Sequence, residues 1–434
     1  MKLTSKFLVI IFALMFFCCG CIQKDKMTKP ASPLTMGEGA GVAEKLQGLQ
    51  RRVRVNLFNI HLLPTKDTRT VVQFSSWGSK SEIDILKPML EDFERENPDI
   101  KIDFMHIPQN YFQKLHLLFA SNTAPDVIFI NNLYLPLYAN AGLLEDLTES
   151  GLADGNFYEK SLRALSFKGK LYAIPRDVSN LVIYYNKDLF NAKKLPYPDK
   201  NTTFEEFLNL AQKLTDKNKG IFGISFEEEP LFYLPYLMSE GGGILSDDLE
   251  TEILNTPESQ KGIKFYADLR NKYRVAPQKQ ESASATMAQM FLQGKLAMHL
   301  SGRWLVPKYR EAAEFDWDIA PFPKGSKGSI VPLDASGWAI SAQSKHKEEA
   351  KRLIKYLSSK ENSEKFSKSG LIVPAQADAA ASQYFLDGKK PQNTKVFLEV
   401  IETAKPTPVN VNYNEILDKT KQKLEKNFNC EKCL

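Results

Sequence analysis

The order of predicted strands and helices between residues 70 and 132 constrains the fold most strongly. Short runs of apolar and β-branched residues alternate with segments that carry apolar side chains at helical spacing. A strand, helix, strand, helix and strand are predicted in turn at residues 70–74, 83–93, 100–104, 111–121 and 124–131. This succession is typical of a parallel α/β sheet with right-handed crossovers. A chain of 434 residues has room for two such lobes with separate cores.

Polar side chains and one tryptophan follow the predicted strands. Ser75, Ser76 and Trp77 come directly after the first strand, and Asn131 and Asn132 end the third. In open α/β sheets, ligands sit beyond the carboxyl ends of the strands. We therefore expect a polar site with one large aromatic ring at this edge.

The N-terminus has the pattern of a secretory signal followed by a lipid attachment site. Phe7 to Phe17 is an eleven-residue apolar core, and a membrane-spanning helix needs about 20 apolar residues. Gly20 directly before Cys21 resembles a lipobox, with Cys18 in place of the usual leucine. We predict that Cys21 is acylated and begins the mature protein. The alternative is a secreted protein that is cleaved nearby without a lipid.

The rest of the N-terminal region and the C-terminus contain few candidate functional residues. Lys, Pro, Ser and Gly dominate the stretch after Cys21, which predicts a flexible tether, and residues 42–68 receive no assigned role. No cysteine lies between Cys21 and Cys430, so the folded body has no disulfide framework. Cys430 and Cys433 form a CxxC, for which a local disulfide is preferred over a redox or metal site because no second ligand pair is visible.

Charge and motifs exclude several function classes. The formal net charge of +5 is small and dispersed, so no nucleic-acid partner is expected. The chain has no GxSxG, P-loop, HExxH or dinucleotide GxGxxG motif. Its five histidines lack metal-ligand spacing. We expect no metal and no cofactor.

Eight segments in fixed order resemble one protein family. They are FERENPDIKI, KLHLLFASNTAPDVIFI, YANAGLLEDLT, FKGKLYAIPRDVSNLVIYYNKDLF, FEEFLNLAQKLT, FLQGKLAMHLSGRWLVP, APFPKG and SKHKEEAKRLIKYLSS. Together they resemble the family-1 extracellular solute-binding proteins of bacterial ABC importers, the maltose-type group, over about residues 70–415. The resemblance implies a two-lobed α/β fold of the periplasmic-binding-protein type II, with the ligand cleft between the lobes. Each lobe is expected to be a mainly parallel sheet flanked by helices.

The resemblance also implies a domain division. A signal peptide (1–20) and a lipid-anchored tether (21–68) would precede an N-terminal lobe and a C-terminal lobe, built from residues 69–178 with 330–373 and from residues 179–329 with 374–434. The first crossing is expected after GKLYAIP, since Pro175 breaks the strand and Arg176 and Asp177 are too polar for a core. Two further crossings are expected near residues 320–332 and near Val373-Pro374.

A sugar has an apolar face, which aromatic rings cover, and a rim of hydroxyls, which acids, amides and arginine bind. The resemblance implies that Trp304 stacks on a sugar face, that Glu229 bonds hydroxyls and that Tyr413 supplies a second aromatic wall. Trp338 is open to a cleft or a core role, whereas Trp317 alternates with apolar neighbours and is interpreted as structural.

Alternatives remain open for the charged candidates. Arg303 is a hydrogen-bond donor to ligand or one half of a surface salt bridge. Glu229 would be part of a solvated loop without the resemblance. Asp177 is a ligand candidate, and its pairing with Glu229 as glycosidase carboxylates is not excluded by sequence.

The function implied by the resemblance is ligand capture, without enzymatic activity. A monomer held by lipid in the cell envelope, in the periplasm or on the outer face of the cytoplasmic membrane, would pass a sugar or oligosaccharide to the membrane subunits of an ABC permease. The alternatives are a carbohydrate-active hydrolase and a surface sensor on the same fold.

Overall fold

A computed structural model of the protein describes residues 68–429, and the structural statements below concern these residues. The predicted signal peptide, Cys21, the tether up to residue 67, and the Cys430 and Cys433 pair lie outside the described residues. No helix in the described range is long and apolar enough to span a membrane.

Seven strands form the first sheet. They are β1 (Thr70–Ser76), β2 (Ile100–His106), β3 (Val127–Asn131), β6 (Ile174–Ser179), β11 (Pro332–Ile340), β12 (Val373–Pro374) and β13 (Lys405–Pro406). Their spatial order is β12-β6-β11-β3-β1-β2, with β13 beside β11. Buried Val, Ile and Phe side chains of β1 and β3 form the centre of this sheet.

Two smaller sheets complete the strands. The second sheet has the order β10-β7-β9-β8 and is built from β7 (Val182–Asn186), β8 (Phe222–Ile224), β9 (Leu296–Ser301) and β10 (Trp317–Ala320). The strands β4 (Ser166–Phe167) and β5 (Lys170–Leu171) form a separate hairpin.

The expectation of mainly parallel sheets is wrong. In the first sheet β1 is parallel to β2 and β3, but β11 is antiparallel to both β3 and β6. In the second sheet β7 is antiparallel to β9 and β10, and β8 is parallel to β9. The reason is topological, because strands that re-enter a sheet from the other sheet need no right-handed crossover helix.

Fifteen helices flank the sheets. They are α1 (Lys80–Glu96), α2 (Tyr111–Ala120), α3 (Leu135–Asn140), α4 (Glu159–Ala164), α5 (Lys187–Ala192), α6 (Phe204–Leu214), α7 (Pro230–Ser239), α8 (Pro257–Asn271), α9 (Met287–Leu292), α10 (Val306–Ala312), α11 (Lys347–Leu357), α12 (Lys360–Lys368), α13 (Ala377–Ala380), α14 (Val396–Thr403) and α15 (Tyr413–Phe428). Short 3₁₀ turns lie at Lys217–Lys219 and Arg303–Leu305.

Helix α1 shows how local sequence fixes these elements. The side chain of Ser79 accepts a hydrogen bond from the backbone N–H of Glu82, and Glu82 accepts one from the backbone N–H of Ser79, which completes a capping box. The apolar positions predicted to share a face are buried, and the C-cap Asn97 lies directly before Pro98. The capping box therefore fixes the start of the helix two residues after Trp77.

The chain passes between the two large sheets three times. It leaves the first sheet after Ser179, and it returns between Ala320 and Pro332. The third passage comes later than Val373-Pro374, because β12 pairs with β6 of the first sheet and α13 still packs on α12 and β12. Phe385 contacts the second-sheet region, because its ring lies beside Arg303.

Candidate functional site

Three half-buried aromatic rings gather where β1 and β3 end. Trp77 follows β1, and its ring centroid lies 5.4 Å from that of Phe112. Phe112 in turn stacks on Tyr134 at 3.7 Å with an interplanar angle of 12°. We call these three residues the aromatic wall. Trp77 was predicted from the sequence, whereas Phe112 and Tyr134 were not. Tyr134 follows the predicted ligand residue Asn132 by two positions, and this closeness in sequence could have identified Tyr134 as a candidate site residue.

Ser76 and Asn131 shape the loops that carry the aromatic wall. Ser76 is buried, and its hydroxyl donates to the carbonyl of Trp77 at 2.7 Å. The side-chain oxygen of Asn131 accepts from the backbone N–H of Tyr134 at 3.3 Å. These hydrogen bonds orient the aromatic residues.

Asn132 belongs to a buried polar group at the passages between the sheets. Its amide nitrogen donates to Asp334 at 2.9 Å, and its oxygen accepts from the backbone N–H of Ala335 at 3.1 Å. Asp334 also accepts from the hydroxyl of Thr407 at 2.7 Å. Burial raises the pKa of Asp334, although both side-chain hydrogen bonds oppose this shift. Asp334 was missed because a single acid inside an apolar run has no distinctive spacing.

Asp177 pairs with the side chain of its neighbour Arg176. The Nε of Arg176 donates to its carboxylate at 2.6 Å, and both side chains are buried. Burial raises the pKa of Asp177, and the Arg176 charge opposes that shift. Arg176 also lies over the ring of Phe129 at 4.1 Å and contacts Glu82 at 3.3 Å. The pair thus supports the base of the aromatic wall, since Phe129 packs 4.3 Å from Trp77.

An open depression of about 650 Å³ lies beside this wall. Trp77, Glu82, His106 and Gln109 are among the residues that line it. It offers one aromatic face and several hydrogen-bonding groups, which is the composition that a polyhydroxylated ligand requires.

The three acids before Pro230 each meet a base from a different element. The closest approaches are Glu227 to His299 at 3.6 Å, Glu228 to Arg270 at 2.8 Å and Glu229 to Lys421 at 2.6 Å. The side chain of Glu229 keeps 62% of its surface exposed. Its carboxylate therefore has free acceptor positions while Lys421 compensates its charge.

Helix α15 connects this acidic loop with the first sheet. Near its start, the amide of Asn414 donates to the carbonyl of Leu133 at 3.2 Å. Burial raises the pKa of Tyr134; Asp418 adds to the shift and Lys421 opposes it, which places both charges near this phenol. The helix thereby brings Tyr134 of the aromatic wall and Glu229 to the same neighbourhood.

Tyr413, the first residue of α15, is buried rather than displayed as an open wall. Burial strongly raises its pKa, and the nearby carboxylate of Asp334 acts in the same direction. Tyr413 therefore belongs with Asn132 and Asp334 at the passages between the sheets.

Trp304 and Arg303 stand apart from these groups, in the 3₁₀ turn after β9. Trp304 is half-buried, and no ring contact or hydrogen bond within residues 68–429 joins it to Trp77, Glu229 or Tyr413. Arg303 is 2% exposed, and because it is buried it forms no surface salt bridge. Its guanidinium centre lies 3.9 Å from the ring centroid of Phe385.

The remaining tryptophans are core residues. Trp338 is fully buried and packs edge-on against Phe74 at 5.3 Å, so the core role applies and we leave it out of the ligand site. Trp317 is buried between Tyr184 and Tyr309, in agreement with a structural role. No group of three or more metal-ligating side chains gathers within the described residues.

Two α/β sheets joined by three passages, with polar and aromatic groups at their facing ends, define a binding protein that holds its ligand between lobes. The family model described as bacterial extracellular solute-binding protein matches residues 79–364. The chain belongs to this family.

Solved structures and curated relatives agree. An ABC substrate-binding protein of Listeria monocytogenes in complex with cycloalternan is 27% identical, with a TM-score of 0.77, over 84% of this chain and 94% of that one. The galactooligosaccharide-binding protein of Bacillus subtilis is 25% identical over 78% of this chain and 80% of its own length. The maltodextrin-binding protein MdxE of Bacillus subtilis is 27% identical over 73% and 75%. The expected two-lobed fold is thereby confirmed.

Proposed function

We propose that this solute-binding protein captures an oligosaccharide between its lobes and delivers it to an ABC permease. The observation that carries the proposal is the aromatic wall of Trp77, Phe112 and Tyr134, with Glu229 brought near it by α15. Such rings cover the apolar faces of sugar units, and the carboxylate binds the hydroxyl rim. Relatives named for galactooligosaccharide and maltodextrin binding support the ligand class.

The names of the relatives favour neutral ligands over phosphorylated ones. Each acid of the loop before Pro230 has a basic partner, and Arg176 is neutralised by Asp177 and Glu82. Lys80 and Lys87 also line the depression beside Trp77, so charge alone does not choose between these ligands. Because the relatives are named for galactooligosaccharide and maltodextrin binding, we place neutral oligosaccharides ahead of sugar phosphates.

A thermal-shift screen tests this function. The full mature chain is mixed with maltotriose, galactooligosaccharides, glucose, glycerol and glycerol 3-phosphate, because a ligand that binds only the folded state raises the melting temperature. We expect a rise with at least one oligosaccharide and none with the phosphate. A rise with the phosphate alone would reject the carbohydrate assignment. Chromatography of the incubated sugars, without hydrolysis products, would exclude the hydrolase alternative.

The finer assignments rest on sequence. We propose that Cys21 carries the lipid that holds the protein at the cell envelope, and that the protein acts as a monomer beside the permease. The domain division stays a proposal as well, with its third boundary moved beyond Ala380.

A further inference from the structure

The indole of Trp304 lies directly on the backbone of Gly302. A Cβ atom added at Gly302 would meet Cζ3 of the indole at 1.9 Å and Cε3 at 2.4 Å. The φ of Gly302 is −102°, which any residue adopts. Glycine is therefore required at this position by the close approach of the ring, and its backbone conformation makes no such demand.

Arg303 holds the same loop from its other side. Its guanidinium centre lies 3.9 Å from the ring centroid of Phe385 and 5.4 Å from that of Phe397, a double cation–π contact. Within the described residues its Nε, Nη1 and Nη2 have no hydrogen-bond partner. Aromatic stacking is thus the main interaction that fixes this buried side chain.

The two phenylalanines are themselves anchored. The guanidinium of Arg310 binds both carboxylate oxygens of Asp387, at 2.8 and 2.9 Å, two residues after Phe385. The amide of Asn180 donates to the carbonyl of Phe397 at 2.8 Å. Asn180 lies in the first passage between the sheets, so Arg303 connects the Trp304 loop to a segment that is bonded to this passage.

We propose that Gly302 and Arg303 are positioning residues for Trp304. Gly302 leaves room for the indole, and Arg303 fixes the loop against Phe385 and Phe397. The ring then presents one fixed face to a pyranose unit. The value of this arrangement for binding rests on the proposed function, whereas the arrangement itself can be tested without any sugar.

Acrylamide quenching of tryptophan fluorescence in the sugar-free protein provides the test. The contribution of Trp304 is the difference between each protein and its Trp304→Phe partner. We expect Gly302→Ala to displace the ring and increase the quenching of Trp304 severalfold, with little change in melting temperature. Gly243→Ala is the matched control, since the atom nearest to a Cβ there is the flexible end of Ile253, at 3.3 Å. Unchanged quenching in a folded Gly302→Ala protein would overturn the proposal.

A second pair of variants covers the case in which Gly302→Ala does not fold. Arg303→Met should increase the quenching of Trp304, and Arg303→Lys, which keeps the cation, should restore part of the wild-type value. Equal quenching in Arg303→Met and wild type would contradict the role of Arg303. With maltotriose as the probe, the variants that displace the ring should bind about tenfold or more weakly. A wild-type protein that does not bind maltotriose would count against the proposed ligand and would leave the quenching result standing.

Discussion

At the residue scale, the two partly exposed tryptophans differ in surroundings. Trp77 packs within an aromatic cluster, whereas Trp304 rests on a glycine. Only a ring with one uncovered face can stack on a ligand. Exposure and packing therefore decide which tryptophans of this chain are available to a sugar.

Trp304→Ala should weaken oligosaccharide binding by about 2 kcal/mol or more, roughly thirtyfold in affinity, because a stacking aromatic at a binding hot spot is lost. Isothermal titration of the folded variant with the ligand found by thermal shift measures this change. Trp317→Phe is the control, since Trp317 is 1% exposed and contacts core tyrosines. Equal affinities for wild type and Trp304→Ala would place the sugar elsewhere.

Asp334→Asn should be more stable than wild type at neutral pH, because the amide oxygen still accepts both hydrogen bonds and no partly buried charge remains. The folded-state pKa of Asp334 is raised above its usual value of 3.8. The protonated carboxyl therefore contributes its full stabilisation to the folded protein below about pH 4. This contribution is lost as pH rises through the pKa of Asp334 in the folded state. Urea unfolding should show the advantage of the variant growing from about pH 4 towards pH 7.

Asp146→Asn is a control variant for which we expect the opposite change in stability. Hydrogen bonds from Lys170 and Thr148 lower the pKa of Asp146 to about 2. This variant should be less stable than wild type at neutral pH, with the gap closing as pH falls towards 2. A pH-independent difference for Asp334→Asn would contradict the assignment of a half-buried carboxyl with a raised pKa.

Sequence predicted the residue types of the site better than their roles. Asn132 and Asp177 were expected to bind ligand, and in the structure they bond to Asp334 and Arg176. Asp334 lies 202 positions from Asn132, so linear spacing does not show that pair. Arg176 is the neighbour of Asp177 on β6, and only the structure shows that both side chains are buried. Phe112 and Tyr134 were missed because their stacking depends on how α2 and the loop after β3 approach each other.

At the element scale, the loop that carries Trp77 ends in the capping box of α1. Ser79→Ala should destabilise the protein by about 1 kcal/mol, as N-cap losses typically do. It should also weaken oligosaccharide binding, because the hydrogen bonds between Ser79 and Glu82 fix the backbone two residues after Trp77. Urea unfolding and isothermal titration separate the two effects.

The matched control is the equivalent capping box of α6. The Thr203 side chain accepts from the backbone N–H of Glu206, and the Glu206 carboxylate accepts from the backbone N–H of Thr203. Thr203→Ala should lose similar stability and keep full affinity. If both variants bind equally well, the start of α1 does not position Trp77.

The helices and strands of the first half were predicted well from periodicity, since α1 and β2 follow clear apolar spacing. The antiparallel direction of β11 was not predicted. A strand's direction depends on the path of the chain between the sheets, and the residues of β11 fit either direction. The start of the third passage is not visible from sequence for a similar reason, because Val373 and Pro374 fit an edge strand and a connection equally well.

At the scale of the whole molecule, we expect the lobes to close on their ligand. Extended passages rotate at a few residues without disturbing either core, and a ligand that touches both lobes favours the closed state. Small-angle scattering should show a smaller radius of gyration with saturating oligosaccharide. Asn414→Ala, which removes the donor to the Leu133 carbonyl, should shift the sugar-free protein towards the open form. Binding with no change in radius would reject closure.

Cys21→Ser should release the protein from membranes, because the proposed lipid is attached to the Cys21 sulfur. Fractionation of cells, with detergent partitioning of the membrane fraction, measures the change. Cys430→Ser serves as the control and should leave the wild-type distribution unchanged. Retention of Cys21→Ser in the membrane fraction would refute the lipid anchor.

The two large sheets differ in how far apart their strands lie in the sequence, and this difference affects the order in which they fold. All four strands of the second sheet come from one stretch, residues 182–320, whereas β3 needs β11, which begins only at Pro332. Distant pairings form late, because a long loop must close first. During synthesis the second sheet can form while the apolar edge of β3 is still uncovered. An uncovered apolar edge promotes aggregation, so we expect the early chain to need chaperone protection until β11 has been synthesised.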